Sequence, residues 1–272
     1  MKFQRIIEQL NYQPWFISAQ GYKSVSDVFN TYKKAFESNK TKSFLNLSDF
    51  VNPREDMMID RDGIAHIHIT GVLGQKMSKI EKSCGNTGYE QLADEIKKVS
   101  ESNAIGVIFY LDSPGGSAVG AHSVAKMIQG LEIPTVGYCD SLACSACYYL
   151  AAGMDYVIST PDAIIGSIGT ILPWVDKSVM WELKGLSFEP IKSSGADLKD
   201  ALYDPELTDS QREFLQEHVD DLTTQFHDHV SNNRDLDNEV WRAGFYVGSR
   251  AIELNLIDEV GSHERAVEFL TE

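Results

Sequence analysis

Residues 106–116 read Gly-Val-Ile-Phe-Tyr-Leu-Asp-Ser-Pro-Gly-Gly, a continuous apolar run followed by a turn. An apolar run of this kind is typical of a parallel strand that is buried on both faces. The run ends at Asp112, and the glycines after it allow a tight turn before the next helical pattern. This strand–turn–helix unit predicts an α/β fold, in which parallel strands alternate with helices.

The same alternation extends on both sides of this unit. Short apolar runs that predict further strands lie at 64–69, 134–138, 156–158 and 163–165. Apolar residues at helical spacing fill the intervals, at 89–99, 119–128 and 145–152. A long late helix with one buried face is predicted from Leu215, Val219, Leu222, Phe226 and Val230.

The first 55 residues differ from the rest of the chain. They are rich in aromatic residues but show no clear strand pattern. Apolar residues at helical spacing predict one short amphipathic helix over 24–38. A polar stretch at 52–56 precedes the regular pattern. We therefore expect an N-terminal arm or accessory segment at 1–55 and a main domain at 56–272.

Composition and charge exclude several classes of protein. The 272 residues carry 24 basic and 40 acidic side chains, and the net charge of −16 repels phosphate backbones, so nucleic acid is not an expected partner. No apolar run reaches the length of about 18 residues that a membrane span needs. The first residues lack an apolar signal core, which predicts a cytoplasmic protein. Four cysteines are too few for a secreted disulfide framework.

Three further motifs carry side chains suited to nucleophilic chemistry. Ser145 lies in Ala-Cys-Ser-Ala-Cys-Tyr-Tyr, at the start of a helix whose positive dipole end favours an oxyanion. A serine there is by itself also a typical helix N-cap. Ser167 lies in Gly-Ser-Ile-Gly, and Lys199 follows a Ser-Ser-Gly stretch. Lys199 alone is typical of a solvated surface lysine.

Taken in order, these motifs resemble peptidase family S49, which includes SppA-type signal peptide peptidases and phage prohead proteases. The resemblance is carried by Ser-Pro-Gly-Gly at 113–116, the serine-containing helix before Tyr-Tyr, Gly-Ser-Ile-Gly, the segment ending in Lys199, and a similar closing segment at 243–261. It covers about residues 57–270. It implies a ClpP/crotonase-like superhelix of ββα units with a long C-terminal helix, and assembly into a homo-oligomer.

The resemblance also implies roles for individual residues. Ser145 corresponds to the nucleophile and Lys199 to the lysine that activates it. Lys192 is a weaker candidate for this base, since the segment before Lys199 is one residue longer than the commonest spacing. Ser167 corresponds to a serine that orients the lysine amine. The lysine must be neutral to act, so its pKa has to fall by roughly 2–4 units from the usual value.

Two glycines complete the site that the resemblance implies. Gly115 and Gly116 correspond to the turn that forms an oxyanion hole, with the backbone N–H of Ser145 as the second donor. The implied reaction needs neither a metal nor an organic cofactor.

Two features favour the phage branch of the family. The sequence shows no anchor or signal segment, and Gln13–Ser18 is similar to short N-terminal segments of phage capsid proteases. The expected substrates are then scaffold and capsid polypeptides, this chain included, in the host cytoplasm or procapsid. An anchor-free cellular SppA-type peptidase and a non-catalytic scaffold or minor capsid protein of the same fold remain alternatives.

Three other functions are suggested by individual residues: catalysis with a histidine base, an iron–sulfur cluster and binding of acyl-CoA. A Ser-His-Asp peptidase of the related ClpP type would need a histidine base, and His122 is the candidate upstream of Ser145. The spacing of Cys139, Cys144 and Cys147, with Cys84 apart, also fits an iron–sulfur cluster, although buried cysteines are the commoner case. A crotonase-type enzyme that binds acyl-CoA would leave Ser145 without a role.

Overall fold

The computed structural model describes residues 13–18, 21–23, 54–174, 176, 178–187, 189–199 and 207–272. Its strands are β1 (Trp15–Ile17), β2 (Met58–Ile59), β3 (Ile64–Gly74), β4 (Thr87–Gly88), β5 (Gly106–Ser117), β6 (Thr135–Cys144), β7 (Tyr156–Ser159), β8 (Ile164–Gly166), β9 (Phe245–Val247) and β10 (Glu259–Val260). Its helices are α1 (Lys79–Ser83), α2 (Tyr89–Ser100), α3 (Ala121–Gln129), α4 (Ala146–Ala151), α5 (Ser178–Glu182), α6 (Asp209–Ser231), α7 (Gly248–Ala251) and α8 (His263–Thr271), with a 3-10 helix at Asn238–Arg242.

The strands of the described residues form one sheet whose central order is β10-β7-β6-β5-β3-β2. β3, β5, β6 and β7 run parallel to one another, which confirms the predicted α/β fold with largely parallel pairing. β5 lies in the middle, and its apolar run is buried as expected for an inner parallel strand. The predicted strands and helices of the main domain are all present. Among the described residues, no helix has both the length and the apolar character needed to cross a bilayer.

The N-terminal segment differs from its prediction at one point. Trp15–Ile17 forms a buried strand, although the sequence shows no strand pattern there. It pairs antiparallel with the end of β5, and β5 therefore continues through Gly115 and Gly116 to Ser117 instead of ending near residue 111. The helix predicted at 24–38 lies outside the described residues, and the division at residue 55 stays a prediction.

The long helix α6 contacts the centre of the molecule through one face. A capping box between Thr208 and Gln211 fixes its first turn. Near its other end, His229 donates a ring N–H to the carbonyl of Tyr149 (2.9 Å), and its ring stacks on Tyr149 with centroids 4.0 Å apart. Burial disfavours the charged imidazolium and lowers the pKa of His229 to about 4.

The low pKa of His229 predicts a pH-dependent stability. In the unfolded chain this imidazole binds a proton near pH 6.5, whereas in the folded chain it stays neutral until about pH 4. The free energy of unfolding should therefore fall as the pH falls through this window, by about 2 kcal/mol, because one pKa unit corresponds to about 1.4 kcal/mol and the ring keeps part of its hydration. Urea unfolding at pH 4 to 7 measures this loss. His229→Gln keeps a donor but does not titrate, and an equally steep loss in that variant would contradict the assignment.

Candidate active site

Ser145 lies at the junction between the end of β6 and the start of α4. Its backbone has φ 54° and ψ −117°. A positive φ of this kind is rare for residues other than glycine. Hydrogen bonds hold it there: its N–H donates to the carbonyl of Gly166 (2.7 Å), and its carbonyl accepts from the N–H of Tyr149 (2.8 Å). Strained backbone that persists under such constraint is typical of functional sites.

The hydroxyl of Ser145 is buried without a partner. The residue is 0% exposed, and among the described residues no atom forms a hydrogen bond with its Oγ. A buried hydroxyl without a partner is costly, so such groups are rare and call for a functional explanation. Side-chain capping does not explain it, since Ser145 makes no side-chain cap to α4.

The glycine turn brings Gly115 against Ser145. A Cβ placed on Gly115 would lie 2.9 Å from the Cβ of Ser145, and φ at Gly115 is +103°. Close approach and backbone conformation therefore both require glycine at position 115. The hydroxyl of Ser113 shapes the turn: it donates to the carbonyl of Gly71 (2.6 Å) and accepts from the N–H of Gly115 (3.1 Å). Gly116 is equally constrained, because a Cβ there would lie 2.0 Å from the carbonyl oxygen of Leu73.

Ser167 lies on the other side of Ser145, next to the glycine that anchors it. Gly166 pairs with Cys144 in the β6–β8 register and accepts the Ser145 N–H. Ser167 itself is half-buried, has φ 57° and donates its N–H to the carbonyl of Gly244 (2.7 Å). The structure therefore brings Ser145, the glycine turn and the Gly-Ser-Ile-Gly segment together. The Ser145 N–H that was expected as an oxyanion donor is already engaged by Gly166.

Lys199 makes no hydrogen bond to the Ser145 hydroxyl within this chain. Its side chain is exposed, whereas Ser145 is fully buried. The Ser145 Oγ forms no hydrogen bond with any described residue, so it is hydrogen-bonded to the amine of neither Lys199 nor Lys192, whose side chain is also exposed. Ser145 and Lys199 therefore do not form a hydrogen-bonded pair in the single chain.

The histidine and cysteine residues considered for other reactions are not placed for them in the described residues. The His122 ring contacts the hydroxyl of Tyr149 at 3.0 Å and makes no hydrogen bond to the Ser145 Oγ. Burial raises the pKa of the Cys139 and Cys144 thiols to about 12, so both stay protonated at neutral pH. Across the described part of the chain, no group of three or more histidine, cysteine or acidic side chains has the arrangement of a metal site.

Sequence reasoning missed two aromatic residues next to Ser145. Phe16 of β1 is buried against Tyr149, with ring centroids 5.7 Å apart, and against Phe226 of α6, with centroids 4.6 Å apart. Tyr149 lies one helical turn after Ser145, a spacing that the sequence already shows. The sequence does not indicate that Phe16 lies near Ser145, because only the pairing of β1 with β5 brings the two residues together.

Comparison with known proteins finds a family and several distant relatives. The model of Peptidase family S49 matches residues 129–272. A protein of Enterococcus faecium with the provisional name signal peptide peptidase SppA is 29% identical over 76% of this chain and 62% of its own length. The head-tail preconnector protein GP5 of Enterobacteria phage P21 is 29% identical over 73% of this chain and 41% of its own length. The chain thus spans less than two thirds of either relative.

A solved structure is also similar to this chain. It is a membrane-bound stomatin-specific protease in complex with a substrate peptide, 18% identical, with a TM-score of 0.42 over 75% of this chain and 78% of that one.

The backbone strain at Ser145 predicts an unusual ranking of two variants. Ser145→Gly and Ser145→Ala both remove the unpartnered hydroxyl, but only glycine adopts φ 54° without strain. Ser145→Gly should therefore be more stable than Ser145→Ala by about 1 kcal/mol, since the strain relieved exceeds the entropy that glycine costs in the unfolded chain. Thermal and urea unfolding of the two variants measure the difference. A more stable Ser145→Ala would show that the backbone at this position is unstrained.

Proposed function

Since the chain belongs to peptidase family S49, we propose that it is a serine endopeptidase whose nucleophile is Ser145. The observation that carries the proposal is the conformation of Ser145: a left-handed, fully buried serine at a helix start, with an unpartnered hydroxyl beside a glycine turn. A nucleophilic serine needs this kind of fixed position and an adjacent base.

The proposed reaction proceeds through an acyl-enzyme. The Ser145 oxygen attacks the carbonyl carbon of the scissile peptide bond while its proton passes to a neutral lysine amine. Collapse of the tetrahedral intermediate breaks the C–N bond, and the lysine ammonium returns the proton to the leaving amine. Water then gives a proton to the same lysine and attacks the ester carbon. The C–O bond to Ser145 breaks, the lysine ammonium returns the proton to the Ser145 oxygen, and the second product leaves as a carboxylic acid.

We assign stabilisation of the oxyanion to the Gly115–Gly116 turn. The turn lies directly against Ser145, and the Ser113 hydroxyl fixes it by accepting the N–H of Gly115. Preorganised backbone donors of this kind contribute about 100- to 1000-fold in rate. We also assign a role to Ser167, which would orient the lysine amine from the opposite side of Ser145.

We assign the base to Lys199 of a neighbouring copy of the chain. Lys199 is exposed and makes no hydrogen bond to the Ser145 Oγ of its own chain. The segment before it exposes large apolar side chains, with Leu183 84%, Leu186 61% and Ile191 100% exposed. Exposed apolar surface of this extent is typical of an interaction site, so this segment suits an interface between copies. A homo-oligomer would bury it and deliver the amine to the partner's site.

The proposed substrates are scaffold and capsid polypeptides during phage head assembly, this chain included. This finer assignment is supported by the likeness to a phage head-tail preconnector protein. The likeness to a bacterial protein provisionally named SppA favours a second candidate, a cellular peptidase that acts on other polypeptides. Cleavage of procapsid proteins from the same source, compared with cleavage of unrelated unfolded proteins, separates the two.

Complementation between two inactive variants tests whether Ser145 of one copy is paired with Lys199 of another. Ser145→Ala and Lys199→Ala should each lose peptidase activity. When equal amounts of the two are co-assembled, about one quarter of the interfaces combine an intact Ser145 with an intact Lys199, so about one quarter of the wild-type activity should return. Hydrolysis of an unfolded polypeptide, followed by mass spectrometry, measures it.

The control is the same substitution, lysine to alanine, at a nearby lysine. Lys184→Ala lies on the same segment and should stay active alone. Mixtures of Ser145→Ala and Lys199→Ala that remain fully inactive, although native mass spectrometry shows mixed oligomers, would contradict a shared site. Activity retained by Lys199→Ala alone would remove Lys199 as the base.

A further inference from the structure

The strand β1 lies in a groove directly beside Ser145. One edge of β1 pairs antiparallel with β5, with Phe16 opposite Gly116. On the other edge, Trp15 and Ile171 exchange two backbone hydrogen bonds of 2.9 and 3.0 Å. β1 is therefore inserted between the glycine turn and the segment that follows Gly-Ser-Ile-Gly.

The pairing extends beyond the three residues of the strand. The N–H of Ala118 donates to the carbonyl of Pro14 (3.3 Å), and the N–H of Ser18 donates to the carbonyl of Pro114 (2.9 Å). Residues 14–18 are thus bound along their whole length by backbone hydrogen bonds. An extended peptide that binds a protein by adding a strand is held in the same way.

This segment passes over the nucleophile. A Cβ on Gly115 would lie 2.2 Å from the carbonyl oxygen of Phe16 and 2.9 Å from the Cβ of Ser145. The Phe16 carbonyl and the Ser145 side chain therefore flank the same glycine. Because Ser145 is fully buried, no polypeptide can reach its hydroxyl while the segment is in place.

The side chain of Phe16 packs beside Tyr149, which lies one helical turn after Ser145. Its ring packs against Tyr149 and Phe226, and it is 3% exposed. Both partners are fixed, since Tyr149 is in α4 and Phe226 is a fully buried residue of α6. The pocket formed by Tyr149 and Phe226 accepts a large apolar or aromatic side chain that projects from an extended backbone.

We infer that residues 14–18 are an internal occupant of the substrate groove, and that they must leave it before a polypeptide can reach Ser145. The inference rests on the proposed peptidase function for its consequence: the chain in this conformation is autoinhibited. It also specifies a substrate class, an extended segment with a large apolar side chain for the pocket formed by Tyr149 and Phe226.

A labelled peptide with the sequence of residues 12–20, Tyr-Gln-Pro-Trp-Phe-Ile-Ser-Ala-Gln, tests the inference. Its binding is measured by fluorescence anisotropy to the full chain carrying Ser145→Ala, with and without Phe16→Ala. Weakening the internal strand raises the fraction of open groove, and the apparent affinity rises with that fraction. We expect the dissociation constant to fall at least about tenfold with Phe16→Ala. Phe214→Ala, which removes a half-exposed phenylalanine of α6, is the matched control and should leave binding unchanged.

Circular dichroism establishes that each variant is folded, and Phe16→Leu replaces Phe16→Ala if the latter is not. Equal peptide affinity with and without the Phe16 change, or the same gain with Phe214→Ala, would overturn the inference. A second arm places the Phe16 change in the chain with Ser145 intact and measures hydrolysis of an unfolded polypeptide, which should increase. Tighter peptide binding without hydrolysis would reject the proposed peptidase function while leaving the occupied groove standing.

Discussion

The close approach at Gly115 is the constraint on which the candidate site depends. Three segments meet at this residue: the end of β5, the carbonyl of Phe16 in β1, and the side chain of Ser145. No Cβ fits between them, and the φ of +103° independently favours glycine. The same absence of a side chain places backbone next to the Ser145 hydroxyl, where an oxyanion would need donors.

The surroundings of Ser145 keep this geometry rigid. The backbone of Ser145 is held between β6 and α4, and Gly166 of the adjacent strand fixes its N–H. Behind α4, the stacked rings of Tyr149 and His229 fasten α6 to the same helix. A strained serine persists only where its neighbours over-determine its conformation, and here the sheet and two helices do so. The same contacts bury Ser145 completely. Under the proposed function, a movement of β1 would be needed to expose its hydroxyl.

The main domain was predictable because its signals are local. The apolar run of β5 and the helical spacing of α2 and α6 determine their own secondary structure, and the α/β fold expected from the S49 resemblance is confirmed. β1 could not be predicted, since three residues carry too short a pattern and their pairing with Gly115–Ser117 is a contact across about a hundred residues. That the segments of Ser145, Gly115 and Ser167 share one site was implied by the S49 resemblance and not by local pattern, and the structure brings these segments together. Sequence alone left open whether Lys199 meets Ser145 within one chain or between copies, because the surroundings of an exposed side chain are not a local property of the sequence.

Mass spectrometry of cleavage products from an unfolded polypeptide tests directly whether Ser145 is the nucleophile, with wild type, Ser145→Ala and Ser141→Ala compared side by side. Ser141, an exposed serine of β6 four residues before Ser145, serves as the control. If Ser145 is the nucleophile, wild type and Ser141→Ala give identical product sets, and Ser145→Ala gives none. Products that persist unchanged with Ser145→Ala would contradict Ser145 as the nucleophile.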